Sequence, residues 1–223
     1  MNHLRGMIAL IDDAIKKAGV TKRDLTHIAA SIGPGSFTGI RIGVVTARTM
    51  AQMLGIPCIA VSTLEAMAEG ALSCAAGAHA HYIVPVINAR RHQTYAAVYE
   101  AGPENGTLTA VMEEKQYMIE ELLEGLEAKI AGNEGVSLYF TGDGIDAYSE
   151  IIESALSEGE YTFAPESSRY QDAEAVAALA LAKAKAGKTI SYNELLPEYM
   201  RLAEAEQRLK AGTLSDRIRT AKV

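Results

Sequence analysis

Apolar residues recur at helical spacing near the N-terminus of the chain. They predict a first helix over residues 3–18, which Gly19 ends. Two shorter segments, 27–32 and 58–61, are continuously apolar and are expected to be buried strands. The N-terminal part of the chain therefore begins with a helix and then alternates between strands and helices.

A turn-rich segment over residues 33–39 separates the first strand from a second helix. We expect this helix to run to Leu54 and to end at Gly55. Ser62 or Thr63, both of types that cap helices, is expected to begin a third helix.

The pattern changes near residue 80, where alternating apolar and polar residues replace the helical spacing of apolar residues. The expected elements are strands at 82–88, 94–99, 107–112 and 137–140, a helix that ends near 156, and helices at 173–184 and 202–210. Alternating strands and helices predict an α/β fold. The break predicts two lobes, residues 1–80 and residues 81–223.

Composition narrows the functional classes. Of the 223 residues, 48% are hydrophobic and 22% are charged, as in an ordinary globular protein. The net charge of −7 disfavours a protein that binds nucleic acid without the help of another subunit. No apolar run approaches the roughly 20 residues of a membrane-spanning helix. Two isolated cysteines, Cys58 and Cys74, favour neither a disulfide framework nor a zinc cluster. We expect a cytoplasmic protein with no membrane contact.

The glycine-rich segment between the first strand and the second helix has two interpretations. A helix N-terminus after glycines binds phosphates in many proteins, although this spacing matches neither the Walker nor the dinucleotide pattern. The residues of this anion or nucleotide loop would be Gly33, Gly35, Ser36, Thr38, Gly39 and Arg41. The alternative is a tight turn in which Ser36 or Thr38 caps the second helix.

The second helix is apolar around most of its circumference, and the first helix is also broad. One interpretation places both helices at the centre of a larger domain. The other is that their outer faces dock a partner or a second copy of the chain. The residues predicted at such an interface are Met7, Ile11, Ile15, Val44, Val45 and Arg48.

Catalytic patterns are scarce. The five histidines form no His-x-x-x-His or His-Glu-x-x-His pattern, so we predict neither a catalytic residue nor a metal site. His79 and His81 could supply two metal ligands but have no carboxylate nearby in the sequence. Asp143 lies between two glycines, where it either holds a cation or a ribose or, in the simpler interpretation, forms a turn.

The most distinctive segment of the chain is Ser-Ile-Gly-Pro-Gly-Ser-Phe-Thr-Gly-Ile-Arg-Ile-Gly at residues 31–43. Together with three shorter segments, it resembles the signature of the TsaB family, also written YeaZ. Residues 56–66 resemble the family's next strand and helix start, and residues 87–91, with Tyr95 and Tyr99 following, resemble its Asp-Ala-Arg turn. Residues 197–201 resemble its C-terminal Pro-x-Tyr-Leu-Arg motif.

The resemblance implies an actin-like (ASKHA, ribonuclease H-like), two-lobed α/β fold. It also implies a non-catalytic dimerisation or scaffold subunit in bacterial tRNA threonylcarbamoyladenosine formation. Its expected partners are the catalytic subunit TsaD and the ATPase TsaE, with tRNA reached only through the complex. No cofactor is predicted on this chain itself. ATP or ADP at the complex interface and a homodimer of the free subunit are both left open. The alternatives are an enzyme of the same fold, such as a small-molecule kinase or an acyltransferase, and a nucleotide-sensing regulator.

Two departures from the family pattern affect these expectations. Asn88 stands where the relatives usually have Asp, which removes a charge from the strand turn. The family also has about thirty residues before the position equivalent to His3. We expect that the start of this chain is misplaced or truncated, and that its first lobe lacks the family's central strands.

Overall fold

The computed structural model describes residues 3–102, 108–131 and 135–200. Its first elements are α1 (His3–Lys17), β1 (Ile28–Gly33), α2 (Phe37–Leu54), β2 (Cys58–Ser62) and α3 (Thr63–Gly77). Next come β3 (Tyr82–Arg90), β4 (Gln93–Ala101), β5 (Leu108–Met118), α4 (Ile119–Ile130) and β6 (Leu138–Thr141). The last are α5 (Gly144–Ala155), β7 (Tyr161–Phe163), a 3₁₀ turn (Glu166–Ser168) and α6 (Ala173–Lys185).

The first lobe is built on a two-stranded parallel sheet of β1 and β2. Ile28 pairs with Cys58, and α2 crosses between the two strands as a parallel connection requires. Val44 and Ala51 of α2 are fully buried against this sheet. The outer edge of β2 is bridged in antiparallel fashion at Cys58 by Ile190.

The second lobe is built on a five-stranded sheet in the order β5-β4-β3-β6-β7. Strands β3, β4 and β5 form an antiparallel meander, whereas β6 and β7 lie parallel to β3 and to each other. Gly142 follows β6 with a φ of 108°, and a Cβ there would lie 2.0 Å from the Val86 carbonyl oxygen. Only glycine fits at this close approach of β6 to β3.

Helix α3 lies between the two sheets. Leu64 and Ala71 belong to the core of the second lobe, whereas Ala66 packs with β2 and α6 of the first. Helix α6 then returns to the first lobe, where Lys183 donates to the Ala60 carbonyl oxygen (3.3 Å). The predicted division at residue 80 therefore needs an amendment, because the first lobe also contains the chain from α6 to Leu195, which is fully buried there.

Most predicted elements are present, with three differences in the second lobe. Strand β5 extends to Met118, six residues beyond the predicted end, and helix α4 follows it without having been predicted. The short strand β7 was also not predicted. The helix predicted at 202–210 lies outside the described residues. Within the described part of the chain, no helix combines the length and the apolar character needed to span a bilayer.

Candidate functional site

The loop between β1 and α2 is organised by a helix cap. Ser36 is the N-cap of α2, and its side-chain oxygen accepts a hydrogen bond from the Gly39 N–H at 3.4 Å. The Ile40 N–H donates to the Ser36 carbonyl oxygen at 2.9 Å. This geometry agrees with the simpler interpretation of the glycine-rich segment, in which Ser36 rather than Thr38 caps the helix.

The same loop has few backbone N–H groups free to bind an anion. Pro34 has no N–H to donate, and the Ser36 side chain already occupies one of the amides that a helix N-terminus offers. Gly33 is held against the C-terminal part of the described chain, where a Cβ would lie 2.6 Å from the Glu198 carbonyl oxygen. The guanidinium group of Arg41 lies over the Phe37 ring, with its Cζ 4.8 Å from the ring centroid. Binding of an anion by this loop stays a prediction.

A groove of about 910 Å³ separates α1 from the rest of the first lobe. Met7, Ile11 and Ile15 of α1 form one wall, and α2 forms the opposite wall from Gly39 to Met50. Strand β1 and the start of the β1–α2 loop also line it. The apolar stripe of α1 thus faces an open groove and is only half-buried. Its volume lies within the range of about 300–1,000 Å³ that is typical of ligand pockets.

Strand β1 presents an open edge to this groove. The Ile28 N–H donates to the Pro57 carbonyl oxygen, so Ile28 directs its backbone groups toward β2. Successive residues of a strand direct their N–H and C=O groups to opposite edges, so Ala29 and Ser31 direct theirs away from β2. No strand in the described residues pairs with that edge. Ala29 and Ser31 both line the groove.

The outer surface of α1 and α2 is unusually apolar. Leu10 is 70% exposed, Val45 58% and Met53 83%, and Ile8 and Phe37 are also exposed. A surface of this kind on two neighbouring elements is typical of a protein interface. It is the feature that most distinguishes the first lobe.

The six residues predicted at the interface occupy three different environments. Met7, Ile11 and Ile15 line the groove. Val45 is exposed and Arg48 is half-buried, and no ion pair of Arg48 is seen among the described residues. Val44 is fully buried against β1, which corrects its inclusion: it lies on the core-facing side of α2 and cannot reach a partner.

A polar cluster connects the two lobes. Glu114 of β5 accepts hydrogen bonds from the hydroxyl groups of Ser62 (2.5 Å) and Tyr99 (2.6 Å). Ser62 is also the N-cap of α3 and accepts from the Leu64 N–H at 3.1 Å. Burial and the adjacent Glu114 carboxylate raise the pKa of Tyr99 far above its usual value. The cluster is not apparent in the sequence, because Glu114 is 15 residues from Tyr99 and 52 residues from Ser62.

The turn between β3 and β4 has a strained backbone. Arg90, Arg91 and His92 all have left-handed φ angles, 65°, 55° and 61°. Each such residue without glycine's freedom costs about 1–2 kcal/mol. Asn88 supports the turn, because its side-chain oxygen accepts from the Arg90 N–H (2.8 Å).

The side chain of Asp143 binds the backbone at the end of β3, next to the same turn. Its carboxylate accepts a hydrogen bond from the Asn88 N–H at 3.0 Å, which ties the end of β3 to the loop after β6. This contact agrees with the structural interpretation of Asp143 rather than with a cation or ribose ligand. In the ranges that the structure describes, no three His, Cys, Asp or Glu side chains gather in a way that could hold a metal ion.

Comparison with known proteins places these features in a family. Residues 1–209 match the family model described as TsaD, tRNA N6-adenosine threonylcarbamoyltransferase. The chain is 32% identical to the tRNA threonylcarbamoyladenosine biosynthesis protein TsaB of Bacillus subtilis, over 92% of this chain and 82% of that protein. It is 35% identical to the Escherichia coli protein of the same name, over 47% of this chain and 43% of that protein.

The fold has matches among solved structures. YeaZ from Pseudomonas aeruginosa superposes with a TM-score of 0.72 at 23% identity, covering 89% of this chain and 84% of that chain. This likeness confirms the predicted actin-like, two-lobed α/β fold.

Proposed function

Because the chain belongs to the TsaB (YeaZ) family of tRNA threonylcarbamoyladenosine biosynthesis proteins, we propose that it is a non-catalytic subunit that binds and supports TsaD. TsaE would join the same assembly, and tRNA would be modified by the complex rather than by this chain. The observation that carries the proposal is the apolar surface of the first lobe, formed by α1, the groove and the outer face of α2.

The first-lobe surface has the composition of a protein interface. Ile11 and Ile15 line a groove whose walls are mainly apolar, and Val45 and Met53 are exposed on the neighbouring helix. Covering such side chains stabilises a complex by about 25 cal/mol for each Å² of apolar surface removed from water.

The proposal assigns catalysis to the partner. Two polar side chains that line the groove have structural partners: Asp143 accepts from the Asn88 N–H, and the hydroxyl of Ser31 lies 2.8 Å from that of Thr63. Ser31 also donates to the Gln171 side-chain oxygen at 3.1 Å. These contacts order the cleft and provide neither a nucleophile with an adjacent base nor a metal ligand set.

A nucleotide-sensing role is the second candidate function. The N-terminus of α2 has no acidic residue in its first turn, and Gly35, Ser36 and Gly39 face the groove. A phosphate placed there would interact favourably with the helix dipole. Asp143 lines the same groove and would oppose a phosphate, so we place this role second.

The proposal is tested by measuring the affinity of the chain for TsaD by calorimetry. In the complex, Val45→Asp and Ile11→Asp would each bury an unpaired carboxylate. We expect each to cost several kcal/mol, which weakens the Kd by more than about a hundredfold.

The matched control is Met118→Asp, which introduces the same charge at an exposed apolar residue of the second lobe. This variant should bind TsaD like the unmodified chain. Unchanged affinity of both first-lobe variants would exclude the proposed surface, and no binding by the unmodified chain would exclude the proposed partner.

A further inference from the structure

The β3–β4 turn is a basic exception in an acidic protein. Arg90 and Arg91 are both exposed, and neither has an ion pair among the described residues. His92, the next residue, lies 3.3 Å from Glu120. The chain as a whole has a net charge of −7. Two adjacent unpaired guanidinium groups are therefore concentrated at one hairpin tip.

The residues of this turn conflict with its backbone geometry. Arg90 pairs with Gln93, so Arg91 and His92 are the two central residues of the hairpin loop. Both have positive φ, which is the geometry of a type I′ turn, and that turn strongly favours Asn-Gly or Asp-Gly. Arg90 is also left-handed. Since these side chains destabilise the turn that they form, folding does not account for their presence.

The turn is nevertheless held rigidly by the second lobe. The hydroxyl of buried Tyr148, on α5, lies 2.8 Å from the Gln93 carbonyl oxygen and 3.2 Å from the Asn88 side-chain oxygen. Asn88 in turn accepts from the Arg90 N–H and donates its own N–H to Asp143. Both ends of the turn are thus fixed, and the arginines are presented on a preorganised backbone. Strained, fixed backbone of this kind clusters at ligand contacts.

We propose that Arg90 and Arg91 form a contact for the backbone phosphates of RNA. Guanidinium groups bind phosphate oxygens by two parallel hydrogen bonds, and phosphate contacts orient a nucleic acid without reading its sequence. The inference rests on the proposed function, because it takes RNA as the polyanion that reaches this chain within a tRNA-modifying complex. The turn begins three residues after Ile87, and Ile87 and Asp143 both line the groove beside α1.

The test measures binding of a fluorescein-labelled RNA hairpin to the complex of the chain with TsaD, by fluorescence anisotropy at several salt concentrations. Arg90→Gln with Arg91→Gln should weaken the RNA affinity about tenfold or more at low salt. It should also reduce the slope of log K against log salt by about 1.5, because two counterion-releasing contacts are lost. Assembly with TsaD should be unchanged.

The matched control is Lys22→Gln with Arg23→Gln, which removes two adjacent exposed cations from another loop. An equal loss of affinity in this control, or no loss in the arginine variant, would overturn the inference. Loss of TsaD binding by the arginine variant would also overturn it, because the turn would then contact an acidic protein surface. If the unmodified chain forms no complex, the proposed function fails, and the same titration on the chain alone tests the turn.

A second variant separates folding from binding. Arg91→Asn with His92→Gly restores the residues that a type I′ turn favours, so it should raise the Tm by about 2–4 °C. The same variant should weaken RNA binding, since it removes one arginine. A higher Tm with undiminished RNA affinity would contradict the assignment of Arg91.

Discussion

The two lobes differ in how completely they cover their own apolar surface. In the second lobe, one continuous core extends from Ile83 to Leu126 and Phe140 through a five-stranded sheet. In the first lobe, a two-stranded sheet has two small clusters, one around Val44 and one around Ile59, and α1 borders a groove of about 910 Å³. The comparison indicates that the second lobe stabilises itself, whereas the first lobe presents apolar surface that a partner can cover.

Core truncation gives the largest contrast between the lobes. Phe140→Ala should lower the free energy of unfolding by about 3–5 kcal/mol, because it leaves a cavity in a fully buried site. Ile11→Ala should cost less than about 1 kcal/mol, because Ile11 already faces the open groove. Urea denaturation of both variants measures the difference. Similar losses would mean that α1 is as tightly packed as the second-lobe core.

The polar connection between the lobes gives an intermediate effect. Glu114→Ala leaves the hydroxyl groups of buried Ser62 and Tyr99 without their acceptor, so it should cost about 2–3 kcal/mol. The neighbouring Glu113→Ala serves as the control, because Glu113 is exposed and lies 4.0 Å from its nearest cation. Equal urea midpoints for the two variants would show that the cluster does not couple the lobes.

Local chemistry made the helix ends predictable from the sequence. Ser36 caps α2, and Gly55 ends it in the left-handed conformation, with a φ of 66°. Both positions follow from the preferences of single residues. The signal for α4 was also present, since Ile119, Leu122 and Leu126 recur at helical spacing and are fully buried.

Long-range packing could not be predicted in the same way. The side a helix turns toward the core depends on its neighbours, which is why Val44 was assigned to the interface although it is buried. The pairing of Glu114 with Ser62 depends on how β5 reaches the start of α3. The positive φ angles at Arg90 to His92 also escaped prediction, because the residue types there disfavour that geometry.

Hydrogen exchange of the free chain, and of the chain mixed with the proposed partner TsaD, tests the contrast between the lobes most directly. In the free chain, amides of α1, β1 and α2 should exchange faster than those of β3, β4 and β6. Few packed side chains cover these elements, and one edge of β1 is open to solvent. Addition of TsaD should slow exchange in α1, β1 and α2 and leave the second-lobe sheet unchanged. Equal protection of both lobes in the free chain, or no slowing in the first lobe on addition of TsaD, would contradict the account.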